Sequence, residues 1–340
     1  MQKIVGLDIH KKHINAVVLD PKGNEIDRDK IPNEPRKLDK FLAMIPKDSK
    51  IALESCSCWQ YVYDYLDNAG YTDVSLANPY KVRLIAASRK KTDFRDAADL
   101  AQLLRVNLLP MSYAPPKDVR EHRQITRHRA SLGQLGRVVK CKINAILLRH
   151  GIIHEFSDVF GAEGTNYLRS IDLPSCDRYE LDNYLSLLRH LSVQCNNTED
   201  RIEDYVRHNP FARIIMTVPG ISYYSALMIV AEIGDIRRFS SIRKLVCYAG
   251  LNPSVSQSGD KCYTGHIAKQ GDKHLRWILG QCANVAVMHD STLAKIYHRI
   301  KKRRGHNIAI TAVARKLLGY IYIMMINNIP YQALQIHKAS

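Results

Sequence analysis

The 340-residue sequence predicts an α/β domain at the amino terminus, followed by a mainly α-helical region. Strand-like runs come first as hairpin pairs and then alternate with helical stretches, an order typical of a mixed α/β sheet. After residue 116, apolar residues recur at helical spacing through most of the chain. The change of period therefore predicts two different architectures in one chain.

The amino-terminal strands are predicted by apolar runs and one turn. Residues 3–9 and 13–20 indicate two strands, and Asp20-Pro21-Lys22-Gly23-Asn24 is a turn that leads to a third strand from Glu25 to Lys30. The next elements are a strand, a helix and a strand at 50–54, 59–69 and 74–77. An antiparallel opening followed by this alternation favours an α/β domain of the ribonuclease H type.

Long helical patterns follow. Helices are predicted from Asp96 to Leu104 and, after the segment Pro110–Pro116, from Lys117 to about Arg149. A heptad seam then steps alternately by three and four residues, through Leu181, Tyr184, Leu188, Leu191, Cys195, Thr198, Ile202 and Tyr205. This period fits either an antiparallel pair within the chain or a contact between two copies.

The stretch Thr217-Val-Pro-Gly-Ile-Ser222 precedes a helical run from Tyr223 to Ile233. A Pro-Gly-Ile turn between helices resembles a helix-hairpin-helix, whose backbone amides bind a phosphate. A plain helix-turn-helix packing unit fits the same pattern. Both interpretations stay open on the sequence.

The charge balance points to a polyanionic partner. Lys and Arg number 50 against 33 acids, which gives a net charge of +17 and favours nucleic acid over a merely soluble basic protein. The eight cysteines form no C-x-x-C framework, which indicates a reducing cytosol without structural zinc. Arg315 and Lys316 interrupt the apolar run 308–326, so we expect no membrane span and a cytoplasmic location.

Four carboxylates, Asp8, Glu54, Asp93 and Asp96, belong to elements that can converge. Asp8 lies inside the first strand, where an unpaired charge is costly to bury, and Glu54 ends the next buried strand. Asp93 and Asp96 are three residues apart and share one face of a helix. Oxygen ligands suit Mg²⁺, and two such ions clamp the reacting oxygens of a phosphoryl transfer.

Each acid also has an ordinary interpretation. Asp96 fits a helix N-cap, Asp93 a turn residue and Glu54 a charge at a strand end. Asp99, one turn beyond Asp96, is a weaker metal ligand candidate because it lies among Ala and Leu. The set of four predicts a metal site more strongly than any member alone.

Two sets of motifs resemble those of one family. The first set is Gly6-Leu-Asp8, Ala52-Leu-Glu54-Ser and Lys91-Thr-Asp93-Phe-Arg-Asp96-Ala. The second set is Thr217-Val-Pro-Gly-Ile221, Ala231-Glu-Ile-Gly234, Phe239, Tyr248-Ala-Gly-Leu-Asn-Pro253 and Ser258-Gly259. In this order they resemble the DEDD-type transposases of the insertion-sequence one-ten family, also called bridge-RNA-guided serine recombinases, which include the IS eleven-eleven subgroup. The resemblance covers nearly the whole chain.

The resemblance implies a first domain similar to Holliday-junction resolvases such as RuvC, and a composite active site. Asp8, Glu54, Asp93 and Asp96 would bind two Mg²⁺ ions, for which Mn²⁺ is an expected substitute. Ser258 maps to the serine that attacks a DNA phosphate and forms a transient covalent link. Without the motif, Ser258 would be interpreted as a turn residue in a polar loop that also holds Ser254 and Ser256.

Basic residues in three regions predict contacts with DNA or RNA. These residues lie in the long helix after Pro116, in the stretch from Lys261 to Arg276 and in the cationic run that ends at Arg304. The ordinary alternative is that such charges only form a solvated helix face. The residues predicted to bind nucleic acid are Arg120, Arg123, Arg127, Lys140, Lys261, Lys269, Arg276, Arg303 and Arg304.

Four functions compete. The first is a Mg²⁺-dependent insertion-sequence recombinase that cuts and rejoins element ends and target DNA under a structured guide RNA. The second is a structure-selective RuvC-like endonuclease that uses water as nucleophile. A sugar-kinase or actin-like ATPase would need a Gly-rich phosphate loop, which the first 110 residues lack. A catalytically inactive RNA-binding scaffold would need a missing acid, and all four are present.

The predicted organisation has four parts. These are a catalytic DEDD domain at 1–150, a coiled-coil linker and oligomerisation region at 151–209, a transposase domain with the serine at 210–330 and a tail at 331–340. Because strand exchange involves several DNA strands, we expect a homodimer, or a tetramer in the synaptic complex. The expected location is the prokaryotic cytoplasm, in association with the nucleoid.

Overall fold

A computed structural model describes residues 2–85, 93–258 and 261–334, with the side chains of all of these except residues 93, 255–258, 261, 262 and 264. The chain packs as two compact units, which are Met1–Ala114 (unit 1) and Pro115–Ser340 (unit 2). Unit 1 contains a mixed α/β sheet, and the described part of unit 2 is mostly helical. This architecture is consistent with the predicted ribonuclease H-like domain and helical region.

The sheet of unit 1 has the strand order β3-β2-β1-β4-β5. Its strands are β1 (Ile4–Ile9), β2 (His13–Leu19), β3 (Glu25–Pro32), β4 (Lys50–Glu54) and β5 (Val74–Ala77). The first three strands pair antiparallel, whereas β4 pairs parallel with β1 and β5 pairs parallel with β4. The predicted hairpin opening and the predicted later strands are therefore confirmed.

Different helices cover the two faces of this sheet. The helices of unit 1 are α1 (Pro35–Ala43), α2 (Trp59–Asn68), α3 (Pro79–Ile85) and α4 (Asp93–Arg105). One face packs Val5 and Leu7 against buried residues of α1 and α2. The other face, called the α4 face, packs Ile4, Val17 and Ala52 against apolar residues of α4.

Gly6 allows α4 to lie directly on the sheet. A Cβ atom at Gly6 would overlap the carbonyl oxygen of Ala97 and would lie 2.8 Å from the backbone nitrogen of Ala101. Both neighbours are backbone atoms of α4, so they cannot rotate away as a side chain could. The glycine of the Gly6-Leu-Asp8 motif is thus explained by close packing of a helix on a strand.

Unit 2 begins with two long helices. Its helices are α5 (Lys117–Arg149), α6 (Ala162–Ser170), α7 (Ser175–Arg207), α8 (Pro210–Ile215), α9 (Tyr223–Ile233), α10 (Ile242–Tyr248), α11 (Lys273–His289), α12 (Ser291–Arg304) and α13 (His306–Asn327), with a short 3₁₀ turn at Ile236–Arg238. The predicted helices Lys117–Arg149 and Tyr223–Ile233 match these bounds.

Helices α5 and α7 pack antiparallel on each other. The end of α5 meets the start of α7 through Arg149 and Asp177, and the His122 ring near the start of α5 lies 4.8 Å from the Tyr205 ring near the end of α7. Heptad residues such as Leu181 and Ile202 are buried. Of the two arrangements that the heptad period allowed, the described chain adopts the internal antiparallel pair.

Helices α5, α7, α8 and α11 pack around α9, which is buried from Ser225 to Ile233. In the Pro-Gly-Ile turn before it, a Cβ at Gly220 would lie 2.9 Å from the backbone nitrogen of Ala286 in α11. Close packing therefore accounts for this glycine, as the plain packing interpretation requires. Helix α13 is long and apolar enough to cross a membrane, but 61% of its apolar 18-residue segment is buried inside the protein.

The polar stretch around Ser254 is a β-hairpin. Strands β6 (Pro253–Ser258) and β7 (Lys261–Ile267) pair antiparallel in the middle of the helical unit. The prediction of a polar loop at Ser254, Ser256 and Ser258 is wrong. Serines next to a glycine favour turn chemistry, so the sequence did not predict these two strands.

Candidate active site

Asp8 and Glu54 lie on the same face of the sheet, at the carboxyl ends of neighbouring strands. In the parallel pairing of β1 with β4, Gly6 is opposite Ala52 and Leu7 is opposite Leu53. Side chains alternate between faces, so the residues two positions beyond Gly6 and Ala52 share their face. The sheet register therefore brings the Asp8 and Glu54 carboxylates side by side on the α4 face.

The direction of α4 carries its acids to the same end of the sheet. Gln102 donates a hydrogen bond of 2.9 Å from Nε2 to the carbonyl oxygen of Gly23, in the turn beyond the amino-terminal end of β1. Ala97, earlier in α4, covers Gly6. The helix thus runs antiparallel to β1. About 6 Å of helix separates Ala97 from Asp93, and about 6.6 Å of strand separates Gly6 from Asp8.

Asp8 is a nearly buried carboxylate with a histidine partner. Its side chain is 11% exposed, and its Oδ2 atom lies 3.0 Å from Nε2 of His10. The His10 ring in turn packs at 4.7 Å from the ring of His13. A buried carboxylate requires polar partners or a cation. His10 supplies one such partner, and it therefore explains part of the stabilisation that Asp8 needs inside the strand.

Two of the other acids of the cluster are less buried than Asp8. Glu54 and Asp96 are half-buried, and the side chain of Asp93 lies outside the described part of the structure. Burial raises the pKa of Asp99, the neighbouring Asp96 carboxylate raises it further, and Arg95 opposes the rise. Asp99 is therefore close enough to Asp96 to sense its charge, although it was the weaker candidate.

A metal site is not assembled among the described side chains. No group of three or more His, Cys, Asp or Glu residues there is arranged to hold a metal ion. Asp8 and Glu54 nevertheless fit a hard divalent cation, because their carboxylates lie on neighbouring strands at one end of the sheet and such cations prefer oxygen ligands. The cysteines in the described part of the chain carry free thiols, and a metal site made of carboxylate oxygens does not require them.

Asn15 is a residue of this region that the sequence analysis missed. It is the cross-strand partner of Asp8 and is only 1% exposed. The one available signal was a polar residue inside an apolar strand, between Ile14 and Ala16. That signal is common in strands and does not by itself indicate a site.

Ser258 is placed by the backbone of the β6–β7 hairpin. It pairs with Lys261 and is the last paired residue of β6, next to residues 259 and 260, which the structure does not describe. Nearby, Ser254 donates a hydrogen bond of 3.0 Å from Oγ to the carbonyl oxygen of His266 across the hairpin. Ser254 thus has a structural partner within the hairpin.

Two predicted nucleic-acid contacts, Arg123 and Arg127, are used inside unit 2. Arg127 makes two hydrogen bonds of 2.7 Å to the carboxylate of Glu232, which is fully buried in α9. Arg123 donates to the carbonyl oxygens of Ala231 and Glu232, at 2.7 and 2.9 Å. These guanidinium groups fasten α5 to the carboxyl-terminal end of α9.

The other basic residues predicted to bind nucleic acid differ in whether their charged groups make contacts within the protein or are exposed to solvent. Arg276 donates from Nη1 to the carbonyl oxygen of Ala249, and Lys140 lies over the ring of Phe160 at 4.7 Å. Arg120 is half-buried and the Lys261 side chain is outside the described set. The exposed members are Lys269, Arg303 and Arg304.

Comparison with known protein families gives two matches. Residues 5–152 match a DEDD transposase model of the IS110 type, and residues 212–298 match the model described as "Transposase IS116/IS110/IS902 family". The first match contains the four acids, and the second contains Ser258. Together the two models cover most of the chain.

Similar proteins of known description are transposases of insertion sequences. The chain is 24% identical over 333 residues to the transposase for insertion sequence element IS1328 of Yersinia enterocolitica, which spans 94% of this chain and 96% of that protein. It is also 24% identical to the transposase for IS1111A of Coxiella burnetii, over 97% of this chain and 91% of that protein. A pilin gene-inverting protein of Moraxella bovis is 28% identical over 44% of this chain and 49% of its own length.

Proposed function

Because the chain belongs to the IS116/IS110/IS902 family of transposases, we propose that this DNA-transposing enzyme cuts and rejoins DNA with a composite active site and a structured guide RNA. The composite site consists of Asp8, Glu54, Asp93 and Asp96 together with Ser258. The single observation that carries the proposal is the convergence of β1, β4 and the start of α4 at one end of the sheet.

The four acids are proposed to hold divalent ions, with Mg²⁺ as the expected metal and Mn²⁺ as a substitute. A bound divalent ion neutralises phosphate charge and stabilises the developing charge on reacting oxygens. The protein's own contribution is to fix the carboxylates, since Asp8 and Glu54 sit on paired strands and α4 is locked over Gly6. A rigid sheet is a suitable support for such a site.

Ser258 is proposed as the nucleophile. Its Oγ atom would attack the phosphorus of a DNA phosphodiester and form a phosphoserine ester, while the bond from phosphorus to the leaving deoxyribose oxygen breaks. The serine hydroxyl loses its proton to solvent, and the leaving oxygen gains one. Rejoining reverses this exchange with a deoxyribose hydroxyl of the new partner strand, so no external energy source is required.

The second candidate is an endonuclease that uses water in place of Ser258. The two are distinguished by a covalent protein–DNA adduct, which we expect with the wild-type protein and a labelled element end in Mg²⁺. Ser258→Ala should abolish the adduct and strand transfer, whereas Ser254→Ala, in the same strand, should retain both. Strand cleavage by Ser258→Ala at the wild-type rate without an adduct would establish the water mechanism instead.

Guide RNA is proposed from the family and from the charge of the chain. The net charge of +17 and the exposed Lys269, Arg303 and Arg304 support binding to a polyanion. RNA that copurifies with the protein should be one discrete structured species with loops complementary to both DNA partners. Recovery of random cellular RNA alone would reject guidance by RNA.

The finer organisation also belongs to the proposal. It includes a resolvase-like domain at 1–150, a coiled-coil linker at 151–209, a transposase domain with a helix-hairpin-helix-like turn at 210–330 and a tail at 331–340. Exposed Leu135 and Val138 of α5 and Leu187 of α7 line one apolar groove, which supports the proposed dimer and synaptic tetramer. The proposed location is the prokaryotic cytoplasm, on the nucleoid.

A further inference from the structure

Asn15 is a buried amide in the middle of β2. It lies on the same face of the strand as Val17 and Leu19, which belong to the α4 face, whereas Ile14 and Ala16 face the other core. Both its Oδ1 and its Nδ2 atom are buried, and neither has a hydrogen-bond partner in the described structure. Asn15 therefore places a hydrogen-bond donor and a hydrogen-bond acceptor in the interior, and no group in the described structure forms a hydrogen bond with either of them.

An unused amide in a core disfavours folding. A buried polar group without a partner costs roughly 1–3 kcal/mol, and nearly all such groups in proteins have a partner. Apolar residues of similar size would fill the position without this cost, as Val17 and Leu19 do on the same strand. An amide at position 15 is therefore explained best by a partner that binds from outside the fold.

The position of Asn15 tells which partner this is. In the β1–β2 register Asn15 is directly opposite Asp8. Directly opposed side chains share one face with Cβ atoms about 4.5–5.5 Å apart, so one ion can contact both. The α4 end that carries Asp93 and Asp96 covers the same end of this face. The orphaned amide thus faces the proposed metal site.

We propose that Asn15 is a further ligand of the divalent ion held by Asp8, and that its Oδ1 atom coordinates the metal. The inference rests on the metal site of the proposed function. Amide oxygens are hard ligands that suit Mg²⁺ and Mn²⁺. A neutral ligand also adds a donor without adding to the mutual repulsion of the four carboxylates. Metal binding would satisfy the buried Oδ1 atom and offset the part of the cost that comes from this atom.

The test measures Mn²⁺ affinity of the full chain without DNA, by electron paramagnetic resonance and calorimetry. Asn15→Leu keeps the approximate shape and removes the oxygen, and Asn15→Asp keeps an oxygen donor. Asp8→Asn reports on the underlying site. Ser75→Ala is the matched control, because Ser75 is a buried polar residue of the same sheet on β5, opposite Ala52.

We expect Asn15→Leu to weaken Mn²⁺ binding by about tenfold or more, and Asn15→Asp to bind at least as tightly as the wild type. Ser75→Ala should bind as the wild type does. Without metal, Asn15→Leu should raise the melting temperature by about 2–4 °C, because it removes an unpaired buried amide. Addition of saturating Mn²⁺ should raise the melting temperature of Asn15→Leu by less than it raises the melting temperature of the wild type.

Two results would overturn the inference. One is unchanged Mn²⁺ affinity in Asn15→Leu while Asp8→Asn loses binding, which leaves the metal site but removes Asn15 from it. The other is a lower metal-free melting temperature in Asn15→Leu, which shows a structural partner for the amide; Asn15→Ala is measured in parallel in case the leucine variant does not fold. If Asp8→Asn binds Mn²⁺ as the wild type does, the proposed function itself fails.

Discussion

Glu232 is a charged residue at the centre of the helical core of unit 2. Two arginines of α5, a helix that is distant in sequence, compensate its negative charge. Its side chain is 0% exposed and accepts two hydrogen bonds from Arg127, while the Arg123 Nε atom lies 3.4 Å away. Burial raises the pKa of Glu232, and the hydrogen bonds from Arg127 oppose that rise. The Ala231-Glu-Ile-Gly234 motif thus has an internal structural role.

Removing the charge of Glu232 should destabilise unit 2 strongly. Glu232→Gln leaves the Arg127 guanidinium, which is 40% exposed, with only the more distant Asp272 carboxylate at 3.9 Å, and we expect a loss of about 1.5–3 kcal/mol in the free energy of unfolding. Urea unfolding followed by circular dichroism measures this loss. Glu203→Gln, in the exposed pair with Arg207 on α7, is the control and should cost less than about 1 kcal/mol. Equal losses in the two variants would reject the core role of Glu232.

Single residues of the site differed in how far the sequence could predict them. Asp8 was identifiable because a carboxylate inside an apolar strand is rare without a function. Asn15 was not, because its burial depends on α4, about 80 residues later in the chain. Glu232 was not either, because its partner Arg127 is 105 residues away and was predicted to contact nucleic acid. Partners that are distant in sequence leave no local signal.

The contact of α4 with β1 is the element-scale feature on which the acid cluster depends. Ala97 and Ala101 approach the sheet closely because Gly6 has no side chain. This contact fixes where along β1 the start of the helix lies, and hence where Asp93 and Asp96 can reach. The packing of one helix therefore decides whether a metal site can form.

A methyl group at Gly6 should separate α4 from the sheet. Gly6→Ala overlaps backbone atoms of α4, so we expect a loss of about 1–3 kcal/mol or more in unfolding free energy, together with weaker Mn²⁺ binding. Gly280→Ala is the matched control, since a Cβ there meets nothing within 4 Å inside helix α11. The control should gain about 0.4–1 kcal/mol. Stability unchanged by Gly6→Ala would show that α4 does not lie on β1.

The α5–α7 pair should lose stability in acid through His122. Burial lowers the pKa of His122, while Asp118 and Glu121 oppose the shift. The folded state then resists protonation, so the contribution of His122 is full above the unfolded pKa of about 6.5 and is lost as pH falls through the lower folded pKa. Urea unfolding at pH 7, 6 and 5 should show a shallower decline in His122→Gln than in the wild type.

The exposed His190 in α7 provides the comparison for this pH series. His190→Gln should retain the wild-type decline between pH 7 and pH 5. A slope that is the same in His122→Gln and in the wild type would exclude His122 as the source of the acid sensitivity.

Whole elements were predicted well where one period dominated. The strands of the amino-terminal sheet and the helices α5 and α9 follow clear periods and were located almost to the residue. The β6–β7 hairpin was missed because the serines of β6 and the adjacent Gly259 favour a polar turn when they are considered from the sequence alone. The heptad seam of α7 predicted a helical partner, but only the structure identified that partner as α5.

At the scale of the whole molecule, charge is the property that the sequence predicted most directly. The excess of 17 positive charges indicates a polyanionic partner, but it does not say which cations are available. The structure separates them, because Arg123, Arg127 and Arg276 serve internal contacts. Arg303 and Arg304, exposed in the last turn of α12, remain available for phosphate.

Removing two exposed cations should reduce the salt dependence of nucleic-acid binding. The double variant Arg303→Gln/Arg304→Gln should lower the slope of log affinity against log salt concentration by about 2, because each phosphate contact releases about one counterion. Filter binding between 50 and 300 mM salt, with a duplex and with RNA, measures the slope. Arg207→Gln is the control, since this exposed arginine is paired with Glu203. Identical slopes in all three proteins would place the phosphate contacts elsewhere.

The proposed metal site requires that paired strands and one helix bring Asp8, Glu54 and an acid of α4 to a shared divalent ion. Crystals of the full chain soaked in Mn²⁺ test it directly by anomalous scattering. We expect a peak at the carboxyl ends of β1 and β4, within about 2.0–2.6 Å of oxygen atoms from Asp8 and at least one other acid. Ordered, fully soaked crystals with Mn²⁺ bound only elsewhere would contradict it.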